Sequence, residues 1–330
     1  MKRSIAIVAL AGLLAAILLI GYHGFLAVSD LVLAVGWGLL AVGVYHLIPL
    51  TFSSLAWRRV VRNTWRKPLP VFIWARLVRE AVANLLPVLQ VGGELVGARI
   101  LTFRGAVAGL AGASVVVDLT LEAVAQFFFT LLGLVLLVMI GGSEETVRWT
   151  AAGLAVAALA LGGFVIAQHN GMFKWLEGLV EKIADRWNWL SLGRIGNVHD
   201  MIQKLYRERR ALFAAGLTHF FSWIISAGEV WLALYFMGSP VTFLEALILE
   251  SLSYAIRSAA FMVPGALGVQ EGTYMLLGQM FGLTPETGLA LSLVKRVRDL
   301  LLGIPTLLGW QMQESRRLWI RANGSKLERD

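Results

Sequence analysis

Two carboxylates in this chain each stand seven positions after a proline, inside segments that are otherwise apolar. The first is Glu94, in Asn84-Leu-Leu-Pro87-Val-Leu-Gln-Val-Gly92-Gly93-Glu94. The second is Glu271, in Phe261-Met-Val-Pro264-Gly265-Ala-Leu-Gly268-Val-Gln-Glu271. A carboxylate in apolar surroundings is costly and is kept for a proton, a polar substrate group or an internal partner. Both also fall where a new helix would start, and there a negative side chain offsets the helix dipole. The two roles are compatible.

The other chemistry is basic. Lys295, Arg298 and Asp299 recur at i, i+3 and i+4 on one face of the last apolar run, with Arg296 offset. Asp299 is expected to pair with one neighbour, and Glu250, Glu271 or Glu122 with another. This leaves surplus positive charge suited to a phosphate or carboxylate, which arginine grips in bidentate fashion. Arg76, Arg79 and Glu80 precede Pro87, and Arg257 precedes Pro264. Candidate substrate contacts are therefore Arg79, Asn84, Glu94, Arg257, Glu271, Lys295, Arg298 and Asp299. Candidate hairpin residues are Pro87, Gly92, Gly93, Pro264, Gly265 and Gly268.

No nucleophile stands beside an evident base, and no Gly-x-Ser-x-Gly, His-Glu-x-x-His or phosphate-cradling glycine loop occurs. No catalytic residue and no cofactor are assigned. The histidines, His23, His46, His169, His199 and His219, are dispersed, so no metal site is assigned either. Without cysteine there is neither a disulfide frame nor a thiolate site.

The elements that must position these groups are membrane helices. Of the 330 residues 58% are hydrophobic and only 15% charged, whereas soluble domains carry about 25% charge. Apolar runs at 4–20, 31–52, 113–140, 149–167, 211–237 and 286–310 approach or exceed the roughly 20 residues of a crossing. The apolar run after Met1-Lys2-Arg3 is long and no small-x-small cleavage site follows it before Tyr22-His23, so it reads as a retained helix. The formal net charge of +8 sits in short loops rather than on one face, which argues against nucleic acid. Lys2, Arg3, Arg58, Arg59, Arg62, Arg66, Lys67, Lys204, Arg207, Arg316 and Arg317 mark the cytoplasmic side, and Asp30 and Glu144-Glu145 the other.

With these sides fixed, segment 71–98 dips in from the cytoplasm and returns, and segment 242–283 does so from the opposite face. The fold class is an all-α polytopic bundle with six crossings and two re-entrant hairpins, organised as an inverted repeat. Such architectures place substrate where interrupted helices meet, and Glu94 and Glu271 are expected to approach each other there. Val117-Asp118-Leu119 and Arg298-Asp299-Leu300 echo one another after the two hairpins. The single membrane domain divides into an N-terminal helix (1–30), a first half (31–167), a cytoplasmic amphipathic linker (168–210), a second half (211–310) and a cytoplasmic tail (311–330). Within the linker, 171–189 alternates apolar and charged residues at helical spacing and lies on the membrane surface. Trp57, Trp65, Trp74, Trp175, Trp187, Trp189, Trp310 and Trp319 read as interfacial belts. Gly105, Gly109 and Gly112 read as a close-packing stripe.

The chain resembles the lysylphosphatidylglycerol synthase transmembrane-region family of flippase-like proteins. The resemblance covers most of the chain and rests on Asn84-Leu-Leu-Pro87 with Gly93-Glu94, on Asp118, on Pro264-Gly265-Ala-Leu-Gly268-Val-Gln-Glu271, and on Asp299-Leu300. Gly92-Gly93-Glu94-Leu-Val-Gly-Ala-Arg99 is similar to the hopanoid-biosynthesis-associated subgroup. Gln90 and Gly97 stand where many members carry arginine, which weakens the case for a strongly anionic headgroup. The resemblance implies movement of a lipid headgroup between leaflets of a bacterial inner membrane, with both termini cytoplasmic. No stretch of the 330 residues reads as an aminoacyl-transferase domain, so aminoacyl transfer is not carried over. The expected partner is a lipid with a polar headgroup. Two other functions stay open: an accessory subunit docking lipid-biosynthesis proteins through 171–189, and an intramembrane lipid-modifying enzyme. The sequence leaves the oligomeric state undetermined.

Overall fold

The computed structural model describes residues 30, 32–86, 91–141, isolated positions between 144 and 166, 198–260, 263 and 266–327. Every element among them is helical: α1 (Gly38–Val61), α2 (Leu69–Leu85), α3 (Val91–Phe103), α4 (Ala108–Met139), α5 (Val198–Arg207), α6 (Arg209–Phe236), α7 (Phe243–Ala259), α8 (Val269–Gly278), a short 3-10 turn (Gln279–Phe281) and α9 (Pro285–Leu327). The helices α1, α4 and α6 are long and apolar enough to cross a membrane. Helix α9 has the length, at 43 residues, but Lys295, Arg296, Arg298 and Asp299 interrupt its apolar run. The runs expected at 4–20 and the surface helix at 171–189 lie outside the described residues, as do Pro87, Pro264 and Gly265 at the hairpin tips.

Both interrupted segments form helix pairs. Helix α2 ends at Leu86 in an extended conformation, which a following proline favours. Helix α3 then packs along α2 so closely that a Cβ on Gly93 would sit 2.5 Å from the Arg79 carbonyl oxygen. In the second pair, α7 opens with a Thr242/Glu245 capping box. Helix α8 opens on Gly268, whose φ of 78° suits a residue without Cβ. Glu271 Oε2 accepts the Gly268 backbone N–H at 2.8 Å, satisfying one of the donors a helix start leaves open.

Helices α1 and α6 make the most extensive pairing in the bundle, stitched by polar groups. Tyr45 Oη donates to the Ile225 carbonyl at 3.0 Å, Ser53 and Ser222 bond at 2.8 Å, and Ser222 Oγ reaches the Pro49 carbonyl at 2.7 Å. Two apolar clusters bracket this pair. One joins Ala56 and Trp57 with Phe72, Leu101, Val117, Ile202 and Ala215. The other joins Val42 with Val230, Leu234, Leu249, Tyr274 and Leu291. Along α1 the stretch His46–Ser53 falls between them, and along α6 so does Ser222–Glu229. A polar layer therefore lies at mid-bundle with apolar packing on both sides.

Several boundaries differ from expectation. Helix α1 runs on to Val61, so Arg58 and Arg59 form its last turn, and Arg59 is held by the Ala214 carbonyl at 3.1 Å and by Thr218. Trp57 is fully buried rather than interfacial, and its Nε1 donates to Ser114 at 3.1 Å. Gly105 belongs to the α3–α4 turn with φ 95°, not to a packing stripe. The end of the linker folds as α5, which buries Val198, Ile202 and Leu205.

Candidate functional site

The polar layer encloses a half-open cavity of about 280 Å³ lined by α1, α2, α3, α4, α6, α7 and α9. Four arginines reach its wall: Arg76 and Arg79 from α2, Arg257 from α7 and Arg298 from α9. Glu80, Glu94, Glu122 and Glu229 face them, with Asn84, Gln126, Ser258 and Tyr254 among the neutral groups. Periodicity explains the α2 contribution: Arg76, Arg79, Glu80 and Ala83 share one helical face.

The α2 arginines are tightly held. Arg76 donates from Nε to Glu80 at 3.0 Å, from Nη1 to Glu122 at 3.0 Å and from Nη2 to the same carboxylate. Arg79 donates from Nε to Glu94 at 2.7 Å, from Nη1 to Asp118 at 3.0 Å and from Nη2 to Glu122 at 3.1 Å. Asp118 is fully buried, and its Oδ1 lies 2.9 Å from His219 Nε2. These charges tie α2, α3, α4 and α6 into one network.

The α9 charges form a second network. Lys295 Nζ donates to Glu250 at 2.6 Å and stands 5.5 Å from the ring centroids of Tyr254 and Tyr274. Tyr274 Oη donates to the same Glu250 at 2.6 Å. Arg296 Nε donates to Glu271 at 2.5 Å. Arg298 reaches Glu229 from Nη1 and Asp299 from Nη2, each at 2.9 Å. The expected surplus of positive charge on α9 is therefore neutralised, because Glu229, Glu250 and Glu271 arrive from α6, α7 and α8.

Arg257 differs from the other three cavity arginines. Among the described residues it has no carboxylate within ion-pair distance, and its guanidinium rests over the Tyr254 ring at 5.2 Å. A guanidinium held by an aromatic face keeps its in-plane donors for a ligand.

The structure brings together Arg79, Asn84, Glu94, Arg257 and Arg298 around the cavity. Asp299 lines a smaller adjoining hollow with His46, Glu80 and Asn84. Lys295 and Glu271 line neither. Glu94 and Glu271, expected to approach each other, engage different partners: Glu94 turns to Arg79 and the cavity, whereas Glu271 caps α8 and pairs with Arg296. Sequence reasoning passed over Glu229 entirely and set His46 and His219 aside as isolated. All three lie in long apolar helices, where an ionisable residue is by itself a signal.

An all-helical bundle with a charged cavity between apolar layers matches one family along nearly its full length. Residues 4–309 match the lysylphosphatidylglycerol synthase TM region. The chain belongs to that family. The membership gives it a membrane location and a membrane-lipid-related function. No curated protein and no solved structure matches the chain.

Proposed function

We propose that this protein moves a polar lipid headgroup between the leaflets of a bacterial inner membrane, as a translocase and not as an enzyme. The observation that carries the reading is Arg257, a guanidinium that has no ion pair among the described residues and stands on the wall of a cavity set between two apolar layers. A cavity of about 280 Å³ is close to the roughly 300 Å³ lower bound of small-molecule pockets. That volume suits a headgroup while the acyl or polycyclic part stays among the lipid-facing apolar side chains. Arg257 binds the anionic part of the headgroup, and Asn84, Gln126 and Ser258 supply neutral hydrogen bonds.

The topology goes with this reading. Six crossings and two re-entrant hairpins of an inverted repeat put both termini in the cytoplasm, supported by the basic residues Arg58, Arg59, Arg62, Lys204, Arg207 and Arg316. The hairpins α2–α3 and α7–α8 then enter from opposite faces and both contribute walls to the cavity. The Gly92–Arg99 stretch, with its similarity to the hopanoid-associated subgroup, adds hopanoids to the lipids to be tried.

The experiment is leaflet accessibility of labelled lipids in vesicles carrying the purified protein. Transport predicts faster exchange than in empty vesicles for at least one lipid with an anionic or zwitterionic headgroup, and slower exchange in Arg257→Ala. Equal exchange in empty and protein-containing vesicles across such lipids and hopanoids would remove the reading.

A further inference from the structure

Among the described residues of the polar layer, His46 touches three other helices through ionisable groups. Its Nδ1 lies 2.7 Å from Glu229 Oε2 on α6, and its Nε2 lies 3.3 Å from Glu80 Oε2 on α2. Arg298 Nη1, from α9, also contacts Nδ1. The ring lines the large cavity on one side and the small hollow on the other, so protons reach it from the cavity.

These contacts cannot all be made in one protonation state. An imidazole nitrogen either carries a proton and donates or lacks one and accepts. With a neutral ring protonated at Nε2, the ring donates to Glu80 and Nδ1 accepts from Arg298. With a charged ring, Nδ1 donates to Glu229 instead, and the Arg298 Nη1 hydrogen that pointed at the ring is released. Both states keep His46 hydrogen-bonded. The proton therefore exchanges one partner of Arg298 for another.

We infer that His46, held between Glu80 and Glu229, is a proton-binding site whose occupancy switches Arg298 from the imidazole to an anion in the cavity. The inference rests on the reading of that cavity as a headgroup site and names its coupling ion. On α1 itself the neighbour is Tyr45, bonded to the Ile225 carbonyl. From α2 come Glu80 and its partner Arg76. From α6 comes Glu229, whose second oxygen is buried without a hydrogen bond. From α9 come Arg298, Asp299 and Lys295, the last 4.0 Å from Glu229. The α4 acids Asp118 and Glu122 are engaged by Arg76, Arg79 and His219, and Arg257 and Tyr254 of α7 stand on the cavity wall. Two carboxylates and one guanidinium thus touch the ring directly. A second proton on the ring adds one positive charge beside Arg298. Proton and anion binding then reinforce each other, as linkage requires.

The site is tested on the full chain in lipid nanodiscs with ¹⁵N-labelled histidine, His46→Gln supplying the assignment. His46 is expected to pass from singly to doubly protonated between pH 8.5 and about pH 5, a window around the ordinary histidine range. Glu229→Gln and Glu80→Gln should each require about tenfold more protons to reach the same state, the effect of removing a neighbouring opposite charge. Sulfate, a dianion throughout this range, is the probe for coupling, read on the Arg298 side-chain signal. Its binding should tighten about tenfold on acidification in the wild type and stay unchanged in His46→Gln. A His46 ring that keeps one protonation state throughout, or that titrates in both Gln variants as it does in the wild type, overturns the site. Sulfate binding that ignores pH overturns the coupling. Neither readout involves lipid movement. A titrating His46 in a protein that moves no lipid therefore leaves the proton site standing and removes transport alone.

Discussion

Arg79 donates from Nε to Glu94 at 2.7 Å, closing the first hairpin on itself. Its counterpart in the second hairpin, Arg257, makes no such bond, because Glu271 is turned away to Gly268, Ser292 and Arg296. Two segments that look alike in sequence thus do different work: one supplies a closed ion pair and the other an open guanidinium.

That difference makes the two arginines separable by mutation. Arg79→Ala strands Glu94 and takes one of the cationic partners from Asp118 and Glu122, and breaking a buried charge network costs about 3–5 kcal/mol. Its folded fraction in detergent unfolding should fall accordingly. Arg257→Ala strands no carboxylate among the described residues, so its unfolding curve should overlay the wild type. Its sulfate binding and lipid exchange should drop at least tenfold, with partial recovery in Arg257→Lys. A destabilised Arg257→Ala with intact binding would reverse the assignment.

The two glutamates should separate in the same manner. Glu271→Gln weakens a cap, a serine bond and an arginine pair in a side chain 1% exposed. Losing charge-assisted bonds of this kind costs about 1.5–3 kcal/mol, with exchange per folded molecule unchanged. Glu94 lines the cavity, and one of its oxygens lacks a hydrogen bond, so Glu94→Gln should alter exchange more than stability. Parallel measurements of unfolding and exchange on both variants decide this.

Much of the architecture was readable beforehand, and the reasons are specific. A break after Leu86 and another before Gly268 were expected from Pro87 and Pro264, because a proline lacks a backbone donor, which is a local property of the sequence. The apolar runs of α1, α4 and α6 are long enough to declare themselves. Pairing across the bundle was not legible. Arg298 meets Glu229 sixty-nine positions away, and nothing in either local pattern says so. Glu271 and Glu94 share a motif, but their orientation depends on which helix packs beside them: α9 against α8, and α2 against α3. Trp57 looked interfacial because arginines follow it, yet α1 continues past it and buries it against Phe72.

Asp118 is a buried charge that joins α4 to α2 and α6. It accepts from Arg79 at 3.0 Å, lies 3.5 Å from Arg76 and meets His219 at 2.9 Å, with no exposed surface. Asp118→Asn retains shape but leaves two guanidinia short of one negative charge. The expected loss is about 3–5 kcal/mol, seen as a lower unfolding midpoint. His219→Gln can still donate to Asp118 and should cost less. Equal losses in the two variants would place the weight on the histidine rather than on the arginine pairs.

The cavity has one polar contact that could act as a side closure. Gln126 Nε2, on α4, donates to Ser258 Oγ at 2.5 Å and to the Tyr254 carbonyl at 3.2 Å, both on α7. Ser258 is exposed, and Leu119, about two turns before Gln126 on α4, also lines the cavity and is 39% exposed. This α4–α7 seam is therefore where a headgroup would enter from the lipid side while its tails remain outside. The chain contains no cysteine, so Gln126→Cys with Ser258→Cys gives a single engineered pair on a clean background. Oxidation should lock the seam and stop lipid exchange, and reduction should restore it. Each single cysteine variant, unable to cross-link, should exchange lipid at the same rate under oxidising and reducing conditions. A locked double variant that still exchanges lipid at the wild-type rate would show that the headgroup enters by another side of the bundle.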